Sequence, residues 1–259
     1  MRRRVLAAQV GVGLAALAAW QGLAQAGVLD PFFFSMPSAI AARVAEWVAA
    51  GTIWRHLGIT VAEAALAFAS GATLGVACGF SLARLPWLSA VLQPYIRVLN
   101  ALPRVVLAPI FLLWFGLGIW SKVALGFTLV FFVVFYNTFQ GVREVDPVVI
   151  DNARMLGASE RQLVRHVLVP SALGWIFSSL HISVGFAIIG AVVGEYLGAS
   201  GGVGYLIAQA EGTFDTAGVF AGMTVLSVVV LLVAQGIHRL ERRLLRWKPG
   251  ALRDVEFGA

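Results

Sequence analysis

The chain has 259 residues, 59% of them hydrophobic and 12% charged, with a mean hydropathy of +0.86. A soluble globular domain carries about 25% charged residues, so this composition argues against a soluble domain and for an integral membrane protein. The net charge of +6 raises nucleic acid as a partner, but the arginines lie between apolar runs, where the positive-inside rule accounts for them.

The expected fold is all-α, with six transmembrane helices. The first covers 5–26, after Arg2, Arg3 and Arg4. An N-terminal basic cluster, an apolar core and Ala24-Gln25-Ala26 also resemble a cleavable signal peptide, but the apolar stretch is long for one. Residues 28–59 read as an external segment holding Pro31, Phe32, Phe33, Phe34 and Pro37. An amphipathic stretch ending near Ala50 is either an interfacial helix on the membrane or an ordinary connection. The second span covers 60–83 and is closed by Arg84. The third, 105–120, is short and meets the fourth, 122–141, around Gly116–Lys122. The fifth covers 173–198 and the sixth 217–238. Each approaches the ~20 residues that cross ~30 Å of hydrocarbon.

With the N-terminus inside, external segments hold Arg43, Arg55 and Lys122, and the other sixteen of nineteen Lys and Arg residues face the cytoplasm. Both termini are therefore expected to be cytoplasmic. The basic stretch HRLERRLLRWKPG, 238–250, reads as a stop-transfer anchor on anionic lipid. Cys78 is the single cysteine and forms no intrachain disulfide; no cysteine or histidine cluster suggests a metal site.

Two spans carry small residues at four-residue spacing. Gly71, Gly75 and Gly79 follow Ala67 in the second; Gly190, Gly194 and Gly198 mark the fifth. Such stripes let helix backbones approach closely in lipid. They serve static packing or the sliding of helices in a transport cycle. Glu195 is an acid deep in a predicted span, a functional candidate by default. Its place near the external end also allows a structural or solvated role at the interface.

The polar insert EVDPVVIDNARMLGASERQLVRHVLVP, 144–170, separates two apolar spans. Asp146-Pro147 is an N-cap followed by proline at the first helical position. Val149, Ala153 and Leu156 are expected to share one face, and Gly157 suits a left-handed C′ position. Ser159 and Gln162 spell a capping box that opens a second helix, with Pro170 near its end. A capped, amphipathic helix pair is more than a connection needs; it either meets a partner protein or rests on lipid.

This spacing resembles the signature loop of the permease subunits of binding-protein-dependent ABC importers: E-A-A, three residues, G, nine residues, then I-x-L-P. Asp151, Asn152 and Ala153 stand at E-A-A, Gly157 at the glycine, and Val167, Val169 and Pro170 at the end. Asp replaces Glu, Asn replaces Ala, and valine replaces Ile and Leu. PSAI at 37–40, LAPIFLLWFGLG at 107–118 and GEYLGASGGVGYLI at 194–207 resemble the nitrate/sulfonate/taurine branch, and the similarity covers roughly residues 30–248.

The resemblance implies a six-span subunit with a MetI-like core in a bacterial-type inner membrane. The expected regions are a first transmembrane helix at 1–27, the external segment at 28–59, a permease core at 60–248 with a coupling loop at 142–172, and a cytoplasmic tail at 249–259. It implies two ABC ATPase subunits as partners, a second permease subunit, here as a homodimer, and an external solute-binding protein. Asp151, Asn152, Ala153, Leu156, Gly157 and Ser159 would form the ATPase interface. ATP and Mg would belong to the ATPase; this chain binds no cofactor itself. The branch suggests a small oxyanion such as nitrate, a sulfonate or taurine.

Three other classes are weaker. GLGIWSKV, 116–123, approaches a P-loop but has Ser121 where glycine is needed and Val123 where Ser or Thr is needed. Gly198-Ala199-Ser200-Gly201 spells G-x-S-G, as in an intramembrane serine protease, but His181 and His238 are expected at the opposite membrane face. An ATPase-independent channel or proton-coupled carrier would want central ionisable groups, of which the later spans offer few.

Overall fold

The computed structural model describes residues 2–244. The expected tail at 249–259, and residues 245–248 of the basic stretch, lie outside them. Every regular element among the described residues is helical, as a lipid environment requires of a backbone that must satisfy its own hydrogen bonds. In chain order these are α1 (Arg2–Gln25), α2 (Pro31–Phe34), α3 (Pro37–Ala49), α4 (Thr52–Ala83), α5 (Pro86–Ala101) and α6 (Ala108–Phe115). There follow α7 (Ile119–Arg143), α8 (Pro147–Met155), α9 (Glu160–Leu163), α10 (Val169–Leu197), α11 (Val203–Gly212) and α12 (Thr216–Leu244).

Among the described residues, five helices are long and apolar enough to cross a membrane: Arg4–Gln25, Thr52–Ala83, Ile119–Arg143, Glu160–Leu197 and Thr216–Gly236. The expected third span is corrected. Residues 104–107 form a 3-10 turn and α6 has only 8 residues, about 12 Å of rise. Alone it does not cross ~30 Å of hydrocarbon. It pairs with α5 across a bend of 83°, as a broken span or a re-entrant loop. The cause is local: Pro103 and Pro109 punctuate the junction, and Gly116, at φ 73°, ends α6. The Gly116–Lys122 boundary is thus the start of α7, and Lys122 lies in its first turn rather than in a connection.

The described residues divide into two compact units, 2–60 with 195–229, and 61–194 with 230–244. In the first, Gln21 of α1 accepts the Ser38 N–H at 3.1 Å, and Arg43 of α3 pairs with Asp215 at 3.0 Å. Thr216 donates to the Phe32 carbonyl. Ile53, Val203, Leu206 and Ile207 form its core, flanked by Trp47, Leu57 and Tyr205.

In the second unit α7 is the central helix. The glycine stripe of α4 receives its side chains. A Cβ on Gly71 would lie 2.8 Å from that of Val130, one on Gly75 2.9 Å from Val134, and one on Gly79 3.1 Å from Thr138. Val130, Val134 and Thr138 recur every four residues, so one ridge of α7 seats in one row of notches. Gly190 of α10 meets the backbone of Gly126, and Gly194 meets the Lys122 side chain. Gly198 is corrected: α10 ends at Leu197, so this glycine lies beyond the helix and does not extend the stripe.

Pro170 is expected near the end of the second loop helix, but the helix continues through it. It has no N–H for the carbonyl four residues back, and its ring crowds that carbonyl. The chain absorbs this in a π turn, Val164–Leu168, where the Val169 N–H reaches the Val164 carbonyl. Glu160–Leu197 therefore runs as one 38-residue helical stretch, about 57 Å long. That is nearly twice the hydrocarbon thickness, so the stretch extends well beyond the apolar slab.

Candidate functional site

The polar insert folds as a helix–turn–helix. Asp146 caps α8, its carboxylate accepting the Val148 N–H at 2.8 Å, with Pro147 as the first helical residue. Gly157 ends the helix at φ +80°. The Ala158 N–H reaches the Ala153 carbonyl at 3.0 Å, and the Gly157 N–H reaches that of Arg154 at 2.9 Å. These two bonds are the Schellman arrangement, which closes the orphan carbonyls of α8. Ser159 and Gln162 form the reciprocal capping box at the start of α9.

The inward face of α8 differs from the expected one. Ile150 and Ala153 pack on the cluster of Val145, Leu163 and Leu168, whereas Val149 and Leu156 point out. Val149 and Ile150 are neighbours, so a small rotation of a short helix decides which of them turns inward. Asp151, Asn152, Gly157 and Ser159 are exposed. Met155 and Leu156, 85% and 88% exposed, stand at the tip of the hairpin.

The hairpin is tied to the end of α4. Glu160 accepts from Arg84 at 3.3 Å and from Arg154 at 3.4 Å. Both pairs are exposed and worth at most about 1 kcal/mol each. Phe80 of α4, packed against the Val145 cluster, supplies an apolar attachment beside them.

Glu195 is not at a solvated interface. It is 1% exposed, and its carboxylate meets the glycine-rich turn after α10. One oxygen accepts the Thr60 hydroxyl at 2.7 Å, the other the Gly204 N–H at 2.7 Å. Thr60 in turn accepts the Val203 N–H at 2.8 Å, and His56 Nδ1 accepts the Gly202 N–H at 3.0 Å. The Ser200 turn of the protease reading thus has His56 nearby, but with that ring nitrogen already engaged. Sequence reasoning missed His56 and Thr60, which it placed in or beside an external connection. Their four-residue spacing at the start of α4 was the available signal.

Lys122 was also missed as a buried group. It is 1% exposed, and its ammonium donates to the carbonyls of Leu117 and Gly118, the latter at 3.1 Å. Glu63, within α4, is likewise buried.

Residues 71–246 match the family described as "Binding-protein-dependent transport system inner membrane component". A Bacillus subtilis (strain 168) chain named as an aliphatic sulfonates transport permease protein is 35% identical over 232 residues, covering 90% of this chain and 84% of the relative. A formylaminopyrimidine transport permease protein of Halalkalibacterium halodurans is 34% identical over 219 residues, covering 85% of this chain and 87% of the relative. A solved structure of the MetNI methionine ABC transporter in an inward-facing conformation matches with a TM-score of 0.60 at 20% identity, covering 76% of this chain and 96% of that one. At that identity the likeness speaks for the fold.

Proposed function

Because this chain belongs to the family of binding-protein-dependent transport system inner membrane components, we propose that its helical hairpin is the coupling element of an ATP-driven importer. As a family member the chain is a multi-pass inner-membrane permease subunit and not the ATP-hydrolysing one. In our reading, two ABC ATPase subunits hold ATP and Mg beneath a homodimer of this chain, and an external solute-binding protein delivers the cargo. The α5–α6 pair then counts as one broken span, which makes six crossings and puts both termini in the cytoplasm. The relatives' names refer to unlike solutes, and a small oxyanion such as nitrate, a sulfonate or taurine is our proposal for this chain's cargo.

One observation carries the coupling role. Met155 and Leu156 are large, apolar and almost wholly exposed at the tip of a capped polar hairpin. Exposed apolar area costs about 25 cal/mol per Å², and a rigid tip that keeps it outward fits a groove on a partner. Asp151, Asn152 and Ser159 flank the tip with polar groups. When two ATPases close around ATP, a hairpin seated in each would follow and rock the helices that carry it. An ATPase-independent channel or carrier is disfavoured by family membership.

Crosslinking tests the reading. Cysteine placed at Met155 or Leu156, in a Cys78→Ser background, should capture a P-loop ATPase in native membranes. Labelling of these positions from the external face, or no captured neighbour, would overturn it.

A further inference from the structure

The helix α11 has no cap of its own. Its N-cap residue is Gly202, at φ +109°, and makes no side-chain cap bond. A helix start leaves four N–H groups without intrahelical partners. Here three consecutive ones are met by side chains from outside the helix: Gly202 by His56, Val203 by Thr60 and Gly204 by Glu195. His56 and Thr60 lie one turn apart on α4, and Glu195 lies in the last turn of α10. The fit is close: a Cβ on Gly202 would collide with the Glu195 carboxyl, and one on Gly201 would come within 2.8 Å of Ile59. At 202 glycine is required both for the positive φ and for the space.

We propose that Glu195 is a positioning residue of the transporter: with Thr60 and His56 it clasps the start of α11, so that a tilt of α4 or α10 is passed to α11. The transport part of this inference rests on the importer reading; the clasp itself does not. None of the three side chains belongs to the coupling hairpin, so the role is separate from ATPase docking.

Chemistry separates geometry from bulk. In Glu195→Gln the amide oxygen can still accept the Gly204 N–H. The amide NH₂ can donate to the Thr60 oxygen once that hydroxyl turns to the His56 carbonyl, 3.2 Å away. Glu195→Ala has no such route, and Thr60→Val loses the middle acceptor while Thr60→Ser keeps it.

The test is hydrogen exchange of the full chain in nanodiscs, joined to transport by the complex with its ATPase and binding protein. Amides 202–204 should exchange at least tenfold faster in Glu195→Ala and Thr60→Val. They should stay within about threefold of wild type in Glu195→Gln and Thr60→Ser, with α7 amides unchanged throughout. Accumulation of labelled taurine, methanesulfonate or nitrate per ATP hydrolysed should fall at least tenfold in the first pair and recover in the second. Unchanged exchange in Glu195→Ala refutes the clasp, and altered exchange with unchanged transport per ATP refutes its role in transport. A wild-type complex that accumulates none of the three solutes counts against the proposed cargo instead, and exchange then decides the clasp.

Discussion

Replacing Gly157 with valine isolates the turn of the hairpin. Its φ is +80°, and a Cβ there would find nothing within 4 Å. Packing therefore contributes nothing, and the whole penalty is backbone. An L-residue in the left-handed region costs about 1–2 kcal/mol, with a β-branched one at the upper end. That is a 5- to 30-fold loss, roughly, of the closed turn. The loss falls on the two Schellman bonds, Ala158 to Ala153 and Gly157 to Arg154, and so on the direction in which Met155 and Leu156 point. The assay is cargo-stimulated ATP hydrolysis by the reconstituted complex, alongside thermal unfolding of the chain. We expect the Val variant to stay folded, with its unfolding temperature lowered by no more than about 2–4 °C per kcal/mol of that penalty, and to lose most of its stimulation. Gly157→Asn should keep most of it, since asparagine visits this region more readily. Full stimulation in the Val variant would refute the argument that the turn geometry carries coupling.

Gly190→Val drives its side chain into the backbone of Gly126, where nothing flexible can yield, so a destabilisation of about 3 kcal/mol or more is expected in detergent unfolding. Gly11→Leu, on a helix where an added Cβ meets nothing within 4 Å, serves as the paired control and should not destabilise the chain, since leucine favours a helix interior over glycine by up to about 1 kcal/mol. Asp146→Ala removes the side chain that accepts the Val148 N–H at 2.8 Å. It should cost α8 about 1 kcal/mol, read as faster hydrogen exchange at residues 148–150.

The membrane class, the five long helices and the hairpin were legible in the chain. So were its details: Asp146-Pro147, Gly157 and the Ser159–Gln162 box take the backbone roles their residue types suggest. The glycine rows at 71, 75, 79 and at 190, 194 were legible as close-packing faces, but not their common partner, α7. The expected third span, 105–120, broke because hydropathy sums apolar residues and does not register the stop at Gly116, which ends α6, or the fresh start of α7 at Ile119. Pro170 failed in the opposite direction: a π turn absorbed a residue that usually stops a helix.

The sequence by itself therefore determined whatever neighbouring residues settle among themselves: hydrophobic length, caps, left-handed glycine and four-residue stripes. Tertiary structure alone decided which face of α8 turns inward, where α4 and α10 set their glycines, and that Glu195 reaches Thr60, 135 positions away. The physical reason is range. A cap or a stripe is closed within one or two turns of helix, whereas a buried carboxylate finds its donors only after separate helices have chosen which faces to bring together.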